Sequence, residues 1–370
     1  MSGLLEAWFH GANAALAGTA DLYARSFTGG PPDLTGWLHT IGKRRAPCWN
    51  TPHEVVFETP LARLRDFSTS RPSDLVPTIV LPPQAGHDSC IVDYSREQSQ
   101  MRALLDAGLE HALALDWVGA TRATRDATVC DYLEVIDRAV ASCGGRANLI
   151  GDCQGGWLAT IYAALAPERV NTLTIAGAPI DFHVGDAVIS EVVGWLAPGG
   201  DLRFYEALVA AGGGVLRGSH MLAGFIMIRP SDEIARQLEL LANLADPGHV
   251  ARYAEFEDWF KHTQDIPGAF YLWIVRHLFS GNELVAGRLR IDGRPVDLSR
   301  LEMPLNLLAG TTDHITPAAQ VFALAEHAST PPQHVRRELV PGGHLGLFMG
   351  HRSLYEHWPP VLRDVLSYSR

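Results

Sequence analysis

Asn148-Leu149-Ile150-Gly151-Asp152-Cys153-Gln154-Gly155-Gly156-Trp157 decides how this chain is read. Its first residues are apolar enough for a buried strand, the glycines mark a sharp turn, and Gln154 onward opens a helix. Small residues on both sides of Cys153 allow a strained backbone, so that strand and helix pass close together while the side chain projects from the sheet. This is the form of a nucleophile elbow with cysteine where most carry serine. A thiol so placed predicts acyl transfer through a covalent thioester, which divides one difficult displacement into two easier ones. The bland alternative is a glycine-rich turn around a buried structural cysteine.

The order of the later residues favours chemistry. Leu305-Asn306-Leu307-Leu308-Ala309-Gly310 is a short apolar strand running into Thr311-Thr312-Asp313-His314-Ile315-Thr316-Pro317, which sets Asp313 just past a strand's carboxyl end. Arg336-Arg337-Glu338-Leu339-Val340 is a thinner last strand, followed by Pro341-Gly342-Gly343-His344-Leu345-Gly346. Nucleophile, acid, then histidine is the chain order of α/β-hydrolases. Cys153 would attack a carbonyl carbon, His344 would take its proton and later protonate the leaving group, and Asp313 would hold the imidazole tautomer. The oxyanion needs donors aimed at it in advance. The backbone N–H of Gln154 is one candidate, and Gln84 or Ala85, on the loop after Thr78-Ile79-Val80-Leu81, supplies the other.

Strand patterns alternate with helical ones around these motifs. Val55 to Glu58 and Leu61 to Asp66 alternate in polarity about Thr59-Pro60, as in an edge hairpin. Helices are predicted over 95–107 and 128–142, strands at Ala112-Leu113-Ala114-Leu115-Asp116-Trp117 and at Val170 to Ala176, with Pro167 ending the elbow helix. The expected fold is α/β, an α/β-hydrolase fold with a mostly parallel sheet and a largely helical cap insertion. Residues 1–50 read as an N-terminal helical extension, 51–180 and 301–370 as the two parts of the core, and 181–300 as the cap. Helical spacing in the cap runs over 233–244 and 256–279, and Trp195, Trp259 and Trp273 read as its core or as the lining of an acyl channel. Residues 4–22, with Trp8, Phe9, Leu16 and Leu22 among alanines, read as an amphipathic helix.

Composition narrows the function classes. The chain has 370 residues, 47% of them hydrophobic and 19% charged, as in an ordinary globular protein. A net charge of -11 argues against nucleic acid as a partner. The first residues show no basic leader, and no segment reaches the roughly 18 apolar residues of a membrane helix, so a cytoplasmic protein without a transmembrane segment is expected. Cys48, Cys90, Cys130, Cys143 and Cys153 are odd in number and lack ligand spacing, which indicates neither a disulfide framework nor a metal site.

On these residues the chain resembles the polyhydroxyalkanoate (PHA) synthase family, and within it the catalytic subunit of the two-subunit class III enzymes. That family has an elbow of the form G-x-C-x-G-G, an acid in D-H-x-x-P and a base in G-G-H, matched here by Gly151 to Gly156, Asp313 to Pro317 and Gly342 to His344. The likeness extends to Thr51-Pro52-His53-Glu54, Ala114-Leu115-Asp116-Trp117, Pro179-Ile180-Asp181-Phe182 and Gly293-Arg294-Pro295-Val296-Asp297-Leu298. It implies a substrate, not a bound cofactor: an (R)-3-hydroxyacyl group carried in on a CoA thioester, loaded on Cys153 and attacked by a hydroxyl to lengthen a polyester. It further implies that Asp313 helps to activate that hydroxyl, that His314 orients the site, and that a second synthase subunit, a homodimer and granule association are to be expected. The same triad with water as acceptor would be an intracellular PHA depolymerase or a thioesterase, and a catalytically silent scaffold is a third reading.

Two departures from the family pattern bear on the chemistry. The family carries tyrosine, isoleucine or a similar residue before the nucleophile, whereas this chain has Asp152, whose charge, if ionised, would raise the thiol's pKa. The loop Pro83-Gln84-Ala85-Gly86-His87-Asp88-Ser89-Cys90 also differs from the family's aromatic-rich one. Asp152, His87, Trp157 and His314 are therefore candidate pocket residues, while Cys90 reads as a buried structural thiol.

Overall fold

The computed structural model describes residues 33–71 and 74–370. The amphipathic stretch expected at 4–22 lies outside them, as does most of the expected N-terminal extension. Eight strands form the main sheet: β1 (Glu54–Glu58), β2 (Ala62–Asp66), β3 (Thr78–Leu81), β4 (Ala112–Trp117), β5 (Ala147–Asp152), β6 (Val170–Ala176), β7 (Leu305–Gly310) and β8 (Val335–Val340). They lie in the order β1-β2-β4-β3-β5-β6-β7-β8. Strand β2 runs antiparallel to both its neighbours, and the pairs from β4 to β8 are parallel. This is the α/β-hydrolase fold. Every residue of β5, β6 and β7 is buried, as expected of parallel strands covered on both faces.

The described helices in chain order are α1 (Leu34–Gly42), α2 (Gln100–Asp106), α3 (Val129–Ser142), α4 (Gln154–Leu165), α5 (Val188–Leu196), α6 (Arg203–Ala211), α7 (Gly218–Ile228), α8 (Pro230–Ala242), α9 (Pro247–Phe260), α10 (Gly268–Trp273), α11 (Ala318–Phe322), α12 (Leu324–His327), α13 (Gly346–Met349) and α14 (Trp358–Tyr368). Helix α3 starts where its sequence says: the Asp131 carboxylate accepts the Thr128 N–H at 2.6 Å, a cap worth about 1 kcal/mol. Helix α2 begins later than the expected 95–107. Residues Asp93–Ser95 and Gln98–Ser99 form a small antiparallel ribbon, and the Ser99 hydroxyl caps α2 by accepting the Arg102 N–H at 2.9 Å. The helical spacing over 256–279 is not one helix. Helix α9 ends at Phe260, Ile266–Pro267 pairs with Val215–Leu216, and a new helix opens at Gly268, because Pro267 has no N–H to continue the ladder.

The chain divides into two compact units, one of residues 48–217 and 264–370 and the other of Gly218–Thr263 with the described residues up to Pro47. In the larger unit, Val193, Ala197, Leu202, Tyr205 and Val275 make a satellite core that joins α5 and the turns after it to the segment following α10. Trp195, read from sequence as cap core or channel, is 74% exposed, whereas Trp259 is buried. In the smaller unit, α1, α8 and α9 converge on Glu257, which has no exposed surface. Its carboxylate meets Lys261 Nζ at 2.6 Å, Arg44 Nη2 at 3.4 Å and Arg236 Nε at 3.5 Å. Lys261 and Arg236 also pair with Glu233.

Candidate active site

Strand β5 ends at Asp152 and α4 begins at Gln154, leaving Cys153 alone to make the turn. Its backbone has φ 50° and ψ −116°, a left-handed region that a residue with a Cβ occupies only when its surroundings impose it. The surroundings do so through close packing. A Cβ on Gly151 would lie 2.4 Å from Gly156 Cα, and one on Gly155 would lie 1.9 Å from the Leu81 carbonyl oxygen. The glycines thus let α4 lie against both β5 and the loop leaving β3. The side chain of Cys153 is neither fully buried nor freely exposed.

His344 and Asp313 arrive on the loops that follow β8 and β7, adjacent parallel strands whose registers bring Gly310 opposite Val340. His344 Nδ1 lies 2.7 Å from Asp313 Oδ2, and both side chains are buried. The other Asp313 oxygen accepts the Ile315 and Thr316 N–H groups, each at 2.9 Å, which fixes the carboxylate. Burial opposes a charge on His344, but the neighbouring Cys153 and the Asp313 carboxylate outweigh that penalty and hold the imidazole above its ordinary pKa. Cysteine, histidine and aspartate therefore form a triad-like arrangement capable of covalent acyl chemistry.

Cys90 belongs to a different environment. It is buried in the 3-10 turn Ser89–Val92 that follows the β3 loop, and burial, followed by the neighbouring Asp88 carboxylate, pushes its thiol far up. It is a poor thiolate.

The loop after β3 is held by its neighbours. Trp117 donates its indole N–H to the Pro82 carbonyl and its backbone N–H to the Ser89 hydroxyl, each at 2.9 Å. The Gln264 N–H donates to the Gly86 carbonyl at 2.8 Å. Ala85 and His87 are buried in this loop. The side chain of Gln84 turns into the core and donates to the Tyr132 hydroxyl at 3.1 Å, so only its backbone could serve an oxyanion. At the start of α4, the Gln154 N–H sits in the first turn, where no intrahelical acceptor exists.

Trp157 is core. It is buried and packs its ring against Phe270 and Trp273, both at 6.1 Å between centroids. His314 is partly exposed, and its carbonyl accepts the Val188 N–H that begins α5. Asp152 has no exposed surface and touches Gln100, the first residue of α2, whose amide Nε2 donates to Oδ1 at 3.3 Å. Burial first, eased by that hydrogen bond and by the charge of His344, pushes the Asp152 carboxyl up to about 8. Sequence reasoning missed Gln100; no motif includes it, and the only local signal was the capping serine before it.

Residues 61–333 match the model of a family described as protein of unknown function, DUF3141. The chain belongs to that family. It is also 28% identical over 324 residues to the poly(3-hydroxyalkanoate) polymerase subunit PhaC of Haloferax mediterranei, a match covering 84% of this chain and 63% of that protein. With the subunit of the same name from Synechocystis sp. it shares 25% identity over 324 residues, covering 86% and 84% of the two chains. The chain thus spans less than two thirds of the haloarchaeal relative's length. A carboxylesterase structure from the thaumarchaeon Nitrososphaera gargenis superposes with a TM-score of 0.51 at 16% identity, covering 85% of this chain and 99% of that one, a likeness of fold. Taken together, this DUF3141 member has the α/β-hydrolase fold and a distant sequence similarity to PhaC proteins. Among the described residues no helix is long and apolar enough to cross a membrane, and no group of three or more candidate ligands could hold a metal ion.

Proposed function

We propose that this DUF3141 chain cleaves an acyl thioester or ester through a covalent acyl-Cys153 and passes the acyl group to an oxygen nucleophile. The observation that carries the reading is a cysteine held at φ 50° beside an imidazole that is paired with a buried carboxylate at 2.7 Å. In this reading Cys153 Sγ bonds to the carbonyl carbon as His344 takes up the thiol proton. The oxyanion rests on the Gln154 N–H and on an N–H of the Gln84–Ala85 segment. Collapse expels the leaving thiol or alcohol, which receives its proton from His344, while Asp313 keeps the ring oriented. A second oxygen nucleophile, deprotonated by His344, then releases the acyl group.

Water is the acceptor that needs no further part, since Cys153 is partly exposed, and it gives a thioesterase, esterase or PHA depolymerase. A substrate hydroxyl gives a polyester synthase, supported by the PhaC relatives and by the choice of sulfur. A cysteine thioester is as activated as a CoA thioester, so loading is close to balanced and transfer to an alcohol runs downhill. Class III kinship, a second subunit, a homodimer and attachment to polymer granules go with this arm. The insertion 181–300 would act as the cap that decides between the two by admitting or excluding water.

The test is incubation with (R)-3-hydroxybutyryl-CoA, following CoA release and product size together, with Cys153→Ala as control. CoA release with growing oligomer selects the synthase, and release with free 3-hydroxybutyrate selects the hydrolase. Equal release from Cys153→Ala would refute both arms.

A further inference from the structure

The buried carboxyl directly before the nucleophile has a partner that changes its meaning. Asp152 and Gln100 are both without exposed surface, and one hydrogen bond joins them, from Gln100 Nε2 to Asp152 Oδ1. Two atoms of the same pair, Asp152 Oδ2 and Gln100 Oε1, have no hydrogen-bond partner among the described residues. Both are acceptors if Asp152 is ionised, so the pair would hold three acceptor oxygens against the two N–H groups of one amide, with no lysine or arginine to match the carboxylate charge. A proton on Oδ2 turns one acceptor of the pair into a donor, and Gln100 Oε1 is an acceptor of the same pair that has no other donor.

Among the described residues no lysine or arginine pairs with Asp152 to make the ionised form the better one. The neighbours of β5 contribute Leu81 opposite Gly151 and Ala176 opposite Asp152, neither of them charged. From α2 comes the neutral Gln100, and from the loop after β8 comes His344, already paired with Asp313 and Cys153. Asp313 faces His344 and not Asp152, and Cys153 is the next residue along the chain.

We propose that Asp152 is a positioning residue held as a neutral acid by Gln100, and that its proton keeps a second negative charge away from the Cys153–His344 pair. This deepens the acyl-enzyme reading and rests on it only for the role of Cys153. With the acid neutral, the Cys153–His344 pair faces one carboxylate, that of Asp313. When the acid ionises in mildly alkaline solution, a further negative charge beside the sulfur disfavours the thiolate and strengthens the hold of His344 on its proton. The expectation drawn from sequence, that Asp152 raises the thiol's pKa, then applies only above that ionisation.

Two measurements without any acyl substrate test this. The infrared C=O stretch of a protonated carboxylic acid should be present in the wild type at pH 6 and absent in Asp152→Asn. In Gln100→Leu it should move to higher wavenumber, as for an acid whose carbonyl no longer accepts a hydrogen bond. The pH dependence of Cys153 alkylation by iodoacetamide, read by mass spectrometry, should show an inflection near 8 that Asp152→Asn removes. A wild-type spectrum without the acid band, or an alkylation profile unchanged in Asp152→Asn, overturns the proposal. Should Asp152→Asn fail to fold, an unshifted band in Gln100→Leu overturns it as well. Neither readout depends on turnover, so an acid band in a protein without acyl activity would support this inference while sinking the reading of function.

Discussion

Asp152 at the elbow and Glu257 in the smaller unit are both completely buried acids, yet their surroundings have opposite character. Glu257 is ringed by Lys261, Arg44 and Arg236, so its charge is matched where it lies. Asp152 has a neutral amide on one oxygen and, among the described residues, no hydrogen-bond partner on the other. Burial alone therefore says little about an acid's role. Three cations around one carboxylate hold elements together, whereas a carboxyl denied a cation beside a nucleophile holds its proton.

The largest effect that would sharpen this contrast is on turnover. Replacing His344 by alanine should lower kcat by roughly 10²–10⁴-fold, the usual contribution of a positioned acid–base group. Its urea midpoint should fall too, because the buried Asp313 carboxylate loses its partner, but not far enough to unfold the protein and account for the lost rate. Steady-state kinetics beside equilibrium denaturation checks both halves, and a variant that loses stability as fast as activity would erase the contrast.

Next in size is the mirror experiment. Glu257→Ala leaves Lys261, Arg236 and Arg44 facing one another around an empty centre, and removal of one member of a buried ionic group costs about 3–5 kcal/mol. A loss below about 1 kcal/mol, as for an exposed ion pair, would show that the network is dispensable.

A pH-resolved comparison comes third. The folded carboxyl of Asp152 is raised from 3.8 to about 8, so the stability it contributes is fully present below the unfolded value and is lost as pH climbs through that window. Asp152→Asn has no such proton to lose. Relative to wild type it should gain stability between pH 4 and 8, by on the order of 1 kcal/mol per pH unit. Urea titrations of both proteins at pH 5 and pH 8 measure the difference; equal gaps at the two pH values would mean that Asp152 is already ionised at pH 5.

The elbow was legible in the sequence because its requirements are local. Glycines at 151, 155 and 156 serve contacts made within a few residues or with the next strand, and the short apolar runs of β4 to β7 need no partner to be recognised. The meeting of Asp313 and His344 could be expected because each follows a strand of the same sheet. What stayed hidden depends on distant pairing. Gln100 is 52 residues from Asp152 and Arg44 is 213 from Glu257, so neither acid's character could be read from its neighbours in the chain. The long helix expected over 256–279 was an error of another kind, in which aromatic spacing outweighed a visible breaker at Pro267.

The smallest effect separates geometry from charge within the smaller unit. Arg236 reaches Glu233 and Glu257 while its guanidinium lies 5.2 Å and 5.0 Å from the ring centres of Phe256 and Phe260. A lysine there would keep the positive charge and surrender the planar face that stacks on both rings. Arg236→Lys should therefore cost about 1 kcal/mol, well below the loss from Glu257→Ala, and raising the salt concentration should change that cost little, since stacking is not screened as exposed charges are. If the lysine variant were as unstable as Glu257→Ala, the fork of the guanidinium between the two acids, and not the number of cations around Glu257, would be what holds α8 to α9.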